Sequence, residues 1–201
     1  MLQTWQGELK FENVALNASE SASMRYMREE EKLAHDIYSA FHELWGNSAY
    51  PIFANIAESE QRHCDAMQWL LDNYHITVSI IPQSGQFTEP KLQNLYHELL
   101  AQGQSSIIAA LQVGARLEEI DINDLNVTLR SSTNPNIQHV YRELLQGSHD
   151  HLRAFVYQLK LNHVNYTPQT LELVEFERIL QSITPAVLAT DAKKVVFMTQ
   201  R

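Results

Sequence analysis

Four short stretches of this chain carry side chains whose types and spacing suit a metal ion. The first, "ESEQRH" at 58–63, contains Glu60-x-x-His63, two strong ligands three residues apart. The second, "VGARLEEIDINDL" at 113–125, carries Glu118, Glu119 and Asp121, and the third, "GSHDHLRAF" at 147–155, carries His149 and His151. The fourth, "MREEEKLAHDIY" at 27–38, offers Glu30 and Glu31. Carboxylate oxygens with imidazole nitrogens suit iron or manganese, with zinc as a further choice. A single cysteine, Cys64, gives no thiolate cluster for soft copper and allows no internal disulfide.

Each motif taken alone has a plainer explanation. A lone Glu-x-x-His on a helix is usually a solvated pair, and "REEEK" reads as an exposed charge run. His149 and His151 diverge on a helix, because residues i and i+2 do not face each other. Cys64 reads as a small core residue. The elements that carry the motifs decide between these readings.

Low Gly and Pro content, six of each in 201 residues, leaves little punctuation for an all-β fold. Apolar residues recur at helical spacing over about 21–45 (Met27, Ala34, Tyr38, Phe41, Trp45) and about 51–74 (Phe53, Ile56, Met67, Leu71). They do so again over about 104–130 (Ile107, Leu111, Gly114, Leu125) and about 135–161. Residues 75–103 interrupt the pattern with a β-flavoured run containing Pro82, Gly85 and Pro90, then a short helical run from 90 to 102. A further helix is expected at about 168–182. Two closely joined helices, a long connection and two more closely joined helices define an all-α, four-helix bundle with one long crossover between its second and third helices. The whole chain reads as one domain, with a core bundle at about 21–162 and a C-terminal extension at about 163–201.

Projected at about 100° per residue, Glu60 falls in the centre of its helix's apolar stripe and His63 on the inward flank. Glu118 lines up with Leu111, Gly114 and Leu125, Asp121 sits one turn along, and Glu119 points away. His151 shares the face of Leu144 and Phe155, while His149 does not. Glu30 and Glu31 flank their stripe, and geometry does not choose between them. Every long helix therefore turns an ionisable group inward. Burying unpaired carboxylates costs several kcal/mol each, roughly, even after relaxation. Glu60, Glu118, Asp121 and one of Glu30 and Glu31 carry four charges, which two divalent ions would balance, with His63 and His151 as neutral donors.

Over most of residues 24–160 these stretches, with "NIAESEQRH" at 55–63, resemble the ferritin-like superfamily of di-iron carboxylate proteins, which includes ferritins and rubrerythrins. The likeness is strongest to the branch catalogued as domain of unknown function 2202. The resemblance implies a ferritin-like bundle and makes Glu31 the first-helix ligand, since Glu31, Ala34 and Tyr38 match a Glu-x-x-Ala-x-x-x-Tyr spacing. Tyr38 then supplies a reactive hydroxyl beside the metals. Glu60 and His63 match the second-helix pair, Glu118 the third-helix acid, and His151 the fourth-helix histidine. On this reading Glu31 and Glu60 are terminal ligands, Glu118 bridges, and each histidine anchors one of two irons. The fourth helix departs from the pattern, carrying Ser148 where a glutamate is expected; Asp121 is the candidate replacement, and a single iron is the outcome if it does not serve.

The implied activity is a di-iron oxidoreductase acting on dioxygen, peroxide or ferrous iron. A non-catalytic metal-binding or structural bundle is the alternative, and an iron-storage shell a third. The electron source would be a separate electron-donor protein, because rubredoxin-like cysteine pairs are absent from the sequence. Such bundles often pair, so a homodimer is expected. A formal charge of −9, from 24 acids against 15 bases, argues against nucleic-acid partners. The sequence has no apolar run of membrane-spanning length and its first twenty residues lack an apolar signal core, so a cytoplasmic protein is expected.

Overall fold

The computed structural model describes residues 11–46, 51–79 and 81–182. Among the described residues six helices account for the regular structure, and no strand occurs. They are α1 (Ala18–Trp45), α2 (Ile52–Asn73), α3 (Pro90–Gly103), α4 (Ile107–Ser131), α5 (Pro135–Leu161) and α6 (Leu173–Gln181).

Local chemistry sets the helix starts. Asn17 and Glu20 form a reciprocal capping box at the head of α1: the Asn17 side chain accepts from the Glu20 N–H at 2.9 Å, and Glu20 accepts from the Asn17 N–H at 3.0 Å. Such a cap stabilises a helix by about 1 kcal/mol. It moves the start of α1 to residue 18, a turn before the apolar periodicity begins. Ser106 caps α4, and Asn134 followed by Pro135 opens α5.

The four long helices pack as a square in which every neighbouring pair is antiparallel. Along α1 and α4, Ser23 meets Thr128 near one end and Tyr38 meets Gly114 nearer the other. Along α2 and α5, Tyr74 bonds Asn134 at one end while the Phe53 and Phe155 rings lie 6.0 Å apart towards the other. Helices α2 and α4 therefore run in the same direction, and the chain must travel the length of the molecule between them. Residues 74–106 make that journey. The β-flavoured part, 75–89, forms no strand in its described residues. Acids of α1 hold it instead: Glu29 accepts from Thr88 N–H (2.9 Å), Thr88 hydroxyl (2.6 Å) and Glu89 N–H (2.9 Å), and Asp36 accepts from Gly85 N–H at 2.9 Å. Backbone groups satisfied by side chains have no need of a ladder.

Helix α6 begins at Leu173, not near 168. The N–H groups of Gln169, Thr170 and Leu171 all point at the carboxylate of Glu119, at 2.7 to 3.2 Å, and Tyr166 adds its hydroxyl at 2.6 Å. Glu119 thus ties residues 166–171 to α4 ahead of the helix. Glu119 faces away from the bundle interior as expected, but it is fully buried beneath this segment. Residues 183–201, the later part of the expected C-terminal extension, lie outside the described residues.

The core comes in two apolar halves. One gathers Leu33, Ile37, Tyr38, Phe41, Phe53, Leu111 and Phe155; the other gathers Met24, Met27, Met67, Leu70, Leu125, Tyr141 and Leu144. A layer of buried ionisable groups lies between them.

Candidate metal centre

That layer contains Glu30 and Glu31 from α1, Glu60 and His63 from α2, Glu118 and Asp121 from α4, and Ser148 and His151 from α5, each buried. The spacing of three between the members of each pair on α2, α4 and α5 puts both on one helix face.

Five of these side chains form two groups that share one member. Glu31, Glu60 and His63 bring ligand atoms within 4.8 Å of one another, and Glu60, Glu118 and His151 do the same. Glu60 is common to both. One of its oxygens, Oε2, lies 2.8 Å from His63 Nδ1, and the other, Oε1, lies 2.7 Å from His151 Nδ1. Glu31 closes the first group, 3.1 Å from His63 Nδ1, and Glu118 the second, 3.4 Å from His151 Nδ1. The two imidazoles stand nearly parallel, centroids 5.5 Å apart. Glu60 thus occupies the shared position that the resemblance gave to Glu118. The reason is geometric: His63 is on Glu60's own helix and His151 is on the helix packed directly across from it.

Both histidines present Nδ1 to the acids. The ring edge of His63 bearing Nε2 lies against Gly147 of α5, where a Cβ would come within 2.6 Å of that nitrogen. Tyr38 donates to Glu118 Oε1 at 2.5 Å and also reaches the Gly114 carbonyl at 3.3 Å. It thereby holds the carboxylate with one oxygen towards His151. Asp121 belongs to neither group. Its Oδ2 accepts from the Ser148 hydroxyl, which also reaches the Leu144 carbonyl at 3.0 Å. Ser148 is buried and faces inward, at the position where the resemblance expects a glutamate.

Protons reveal the strain of this packing. Burial pushes Glu31 up to about 7, with the Glu60 charge adding to the shift and His63 opposing it. Burial also raises Glu118, and it raises Asp121 well above its ordinary value, helped by Glu31, Glu30 and Glu118. Burial would raise Glu60 too, but His151 and His63 outweigh it and hold this carboxyl well below the usual range. Burial should lower His151, yet Glu60 and Glu118 push it up to about 10, and His63 rises for the same kind of reason. Without a cation from outside, the cluster must retain protons to balance its charge.

Several of its atoms have no hydrogen-bond partner: Glu31 Oε1, Asp121 Oδ1 and both oxygens of Glu30. Buried polar atoms are almost always paired, since an orphan costs about 1–3 kcal/mol. Orphaned carboxylate oxygens from α1 and α4, beside imidazoles from α2 and α5, suit divalent ions of hard to intermediate character. The donor set fits a pair of them.

Sequence reasoning missed Gly147, and it set Glu30 aside only when the resemblance chose Glu31. Glu30 looks like a member of an exposed run, and only packing of α4 against α1 buries it. Gly147 carries no ligand, and nothing in a single sequence marks a glycine as the floor beneath a histidine.

An all-helical protein with a buried, shared-carboxylate Glu/His centre is the class that fold and site define. The chain belongs to the DUF2202 family, an uncharacterized protein domain, which it matches over residues 20–183. It is 42% identical over 170 residues to the uncharacterized protein MJ0754 of Methanocaldococcus jannaschii, covering 84% of this chain and 90% of that one. The crystal structure of hypothetical protein MJ0754 superposes with a TM-score of 0.84 at 40% identity, over 88% of this chain and 99% of that one. Among the described residues no helix is long and apolar enough to cross a membrane.

Proposed function

We propose that this chain is a ferritin-like di-iron protein, an oxidoreductase acting on dioxygen, peroxide or ferrous iron. The observation that carries the reading is Glu60, with one carboxylate oxygen at each of two imidazoles. One ion would be held by Glu31, Glu60 and His63, the other by Glu60, Glu118 and His151. When bound, a pair of irons would supply two electrons at one place, enough to take dioxygen to peroxide or peroxide to water.

The chain's own residues would do the rest. Tyr38 orients Glu118 through its 2.5 Å hydrogen bond and can lend or recover a proton there. Asp121 keeps one oxygen unpartnered towards the centre. Phe53 and Phe155, both fully buried, close one side of the layer and keep water from it. Electrons would come from a separate donor protein. Manganese or zinc is the alternative occupant, and a homodimer the proposed assembly.

A second reading rests on Ser148. Its hydroxyl ties up Asp121 in the place where a further carboxylate ligand would stand, which suits a bundle that binds metal without turnover. Elemental analysis of protein produced in iron-supplemented medium separates the two. The oxidoreductase reading expects two irons per chain and a visible absorption that bleaches on reduction and returns with peroxide. One zinc per chain, or no metal, would contradict it.

A further inference from the structure

Among the described residues, Glu30 is the least explained side chain. It is 1% exposed, and neither of its carboxylate oxygens has a partner. The charges that act on it are those of acids, Asp124 on α4 and Glu31 beside it. An aliphatic residue would fill the same space without the cost of an uncompensated charge. Asp121, also buried, leaves Oδ1 unpartnered and feels the charges of both Glu30 and Glu31.

These groups lie in order. Glu118, Asp121 and Asp124 are successive turns of α4, three residues apart, and so form one stripe along the helix. Glu30 and Glu31 face that stripe from α1. The stripe begins at the paired centre and ends at Asp124, which is partly exposed, bonded by Asn123 at 3.1 Å and near Lys91. Tyr26, one turn before Glu30 and also partly exposed, lies close to the same acids. Glu30, Asp121 and Asp124 do not close up as the two triads do, whose ligand atoms all lie within 4.8 Å. That looser spacing suits a position of passage.

We propose that Glu30 and Asp121, with Asp124 at the mouth, form a third cation position through which divalent metal ions reach the paired centre. This rests on the two-metal reading above. A stripe of one charge sign inside low-dielectric walls concentrates its counter-ion and raises association rates by about 10- to 1000-fold. Glu30 is the relay: its two unpartnered oxygens can face Asp124 on one side and the centre on the other.

The test uses the full metal-free chain with Co(II), read by equilibrium dialysis for stoichiometry and by stopped-flow absorbance for loading, with helicity checked by circular dichroism. Wild type should take two Co(II) tightly and a third more weakly. E30Q should keep the tight pair, lose the weaker equivalent and load about tenfold more slowly. D124N, altered at a partly exposed position, should also load more slowly with the tight pair intact. If E30Q fails to fold, D124N carries the test alone. Two tight equivalents and wild-type loading rates in the variants would overturn the third position and leave the paired centre standing; Glu30 would then be a neutral acid filling space. No Co(II) bound by wild type would overturn both.

Discussion

His63 can turn Nδ1 towards Glu31 and Glu60 because Gly147 gives its ring an edge of bare backbone to rest on. A Cβ there would lie 2.6 Å from Nε2 and 2.7 Å from Cε1. Gly147→Ala should therefore displace the ring and weaken metal binding at least tenfold, with an overpacking cost of about 1–3 kcal/mol in the metal-free protein. A cobalt titration with a parallel melting curve measures both, and unchanged affinity would show that the ring has another place to go. At this scale the sequence was informative where spacing coincided with an apolar stripe. Glu60, His63, Glu118 and His151 all come together in that way. Asp121 faces the interior but engages Ser148, a pairing across two helices that no single-helix projection contains. Glu31 was chosen over Glu30 only through resemblance, and both prove buried.

Helix α4 serves two interiors with adjacent residues. Glu118 faces the bundle, and Glu119 turns outward to collect three backbone N–H groups and a tyrosine hydroxyl from residues 166–171. Glu118→Gln should abolish or strongly weaken metal binding with modest effect on folding, since it removes a buried charge. Glu119→Gln should leave metal binding intact but cost about 2–4 kcal/mol, because hydrogen bonds to a charged acceptor contribute about 1.5–3 kcal/mol each and not all would be lost. Chemical denaturation with a metal titration on both variants separates these roles; equal effects on metal binding would contradict them. The sequence places the long helices to within a few residues because their apolar periodicity is sustained. It misses the start of α6 and the path of 75–89 because both are set by acids of distant helices, Glu119, Glu29 and Asp36. It misses the first turn of α1 because the Asn17–Glu20 box lies ahead of the periodic residues.

Across the whole molecule, an ionisable layer separates two apolar halves of the core, and this should make stability and metal affinity respond oppositely to pH. In the metal-free protein Glu31 rises from 4.5 to about 7, so the fold binds its proton more tightly than the unfolded chain does and loses stability as pH climbs through that interval. His151 rises from 6.5 to about 10; its contribution is complete below 6.5 and is lost as pH rises towards 10. With chelator present, moving from pH 6 to pH 8 should cost on the order of 3 kcal/mol, or roughly 5–10 °C in Tm. Metal ligation needs those same protons removed, so the stabilisation added by ferrous iron should grow over the same range. A metal-free Tm that rises between pH 6 and pH 8 would contradict this account of the layer.

The central claim is that Glu60 is shared by two metal ions. Crystals grown anaerobically with ferrous iron, measured on both sides of the iron absorption edge, test it directly. The account predicts two anomalous peaks about 3.5–4 Å apart, one beside each Glu60 oxygen and each in bonding reach of one Nδ1, that of His63 or that of His151. A single peak bound by one histidine, or iron found only away from Glu60, would contradict it.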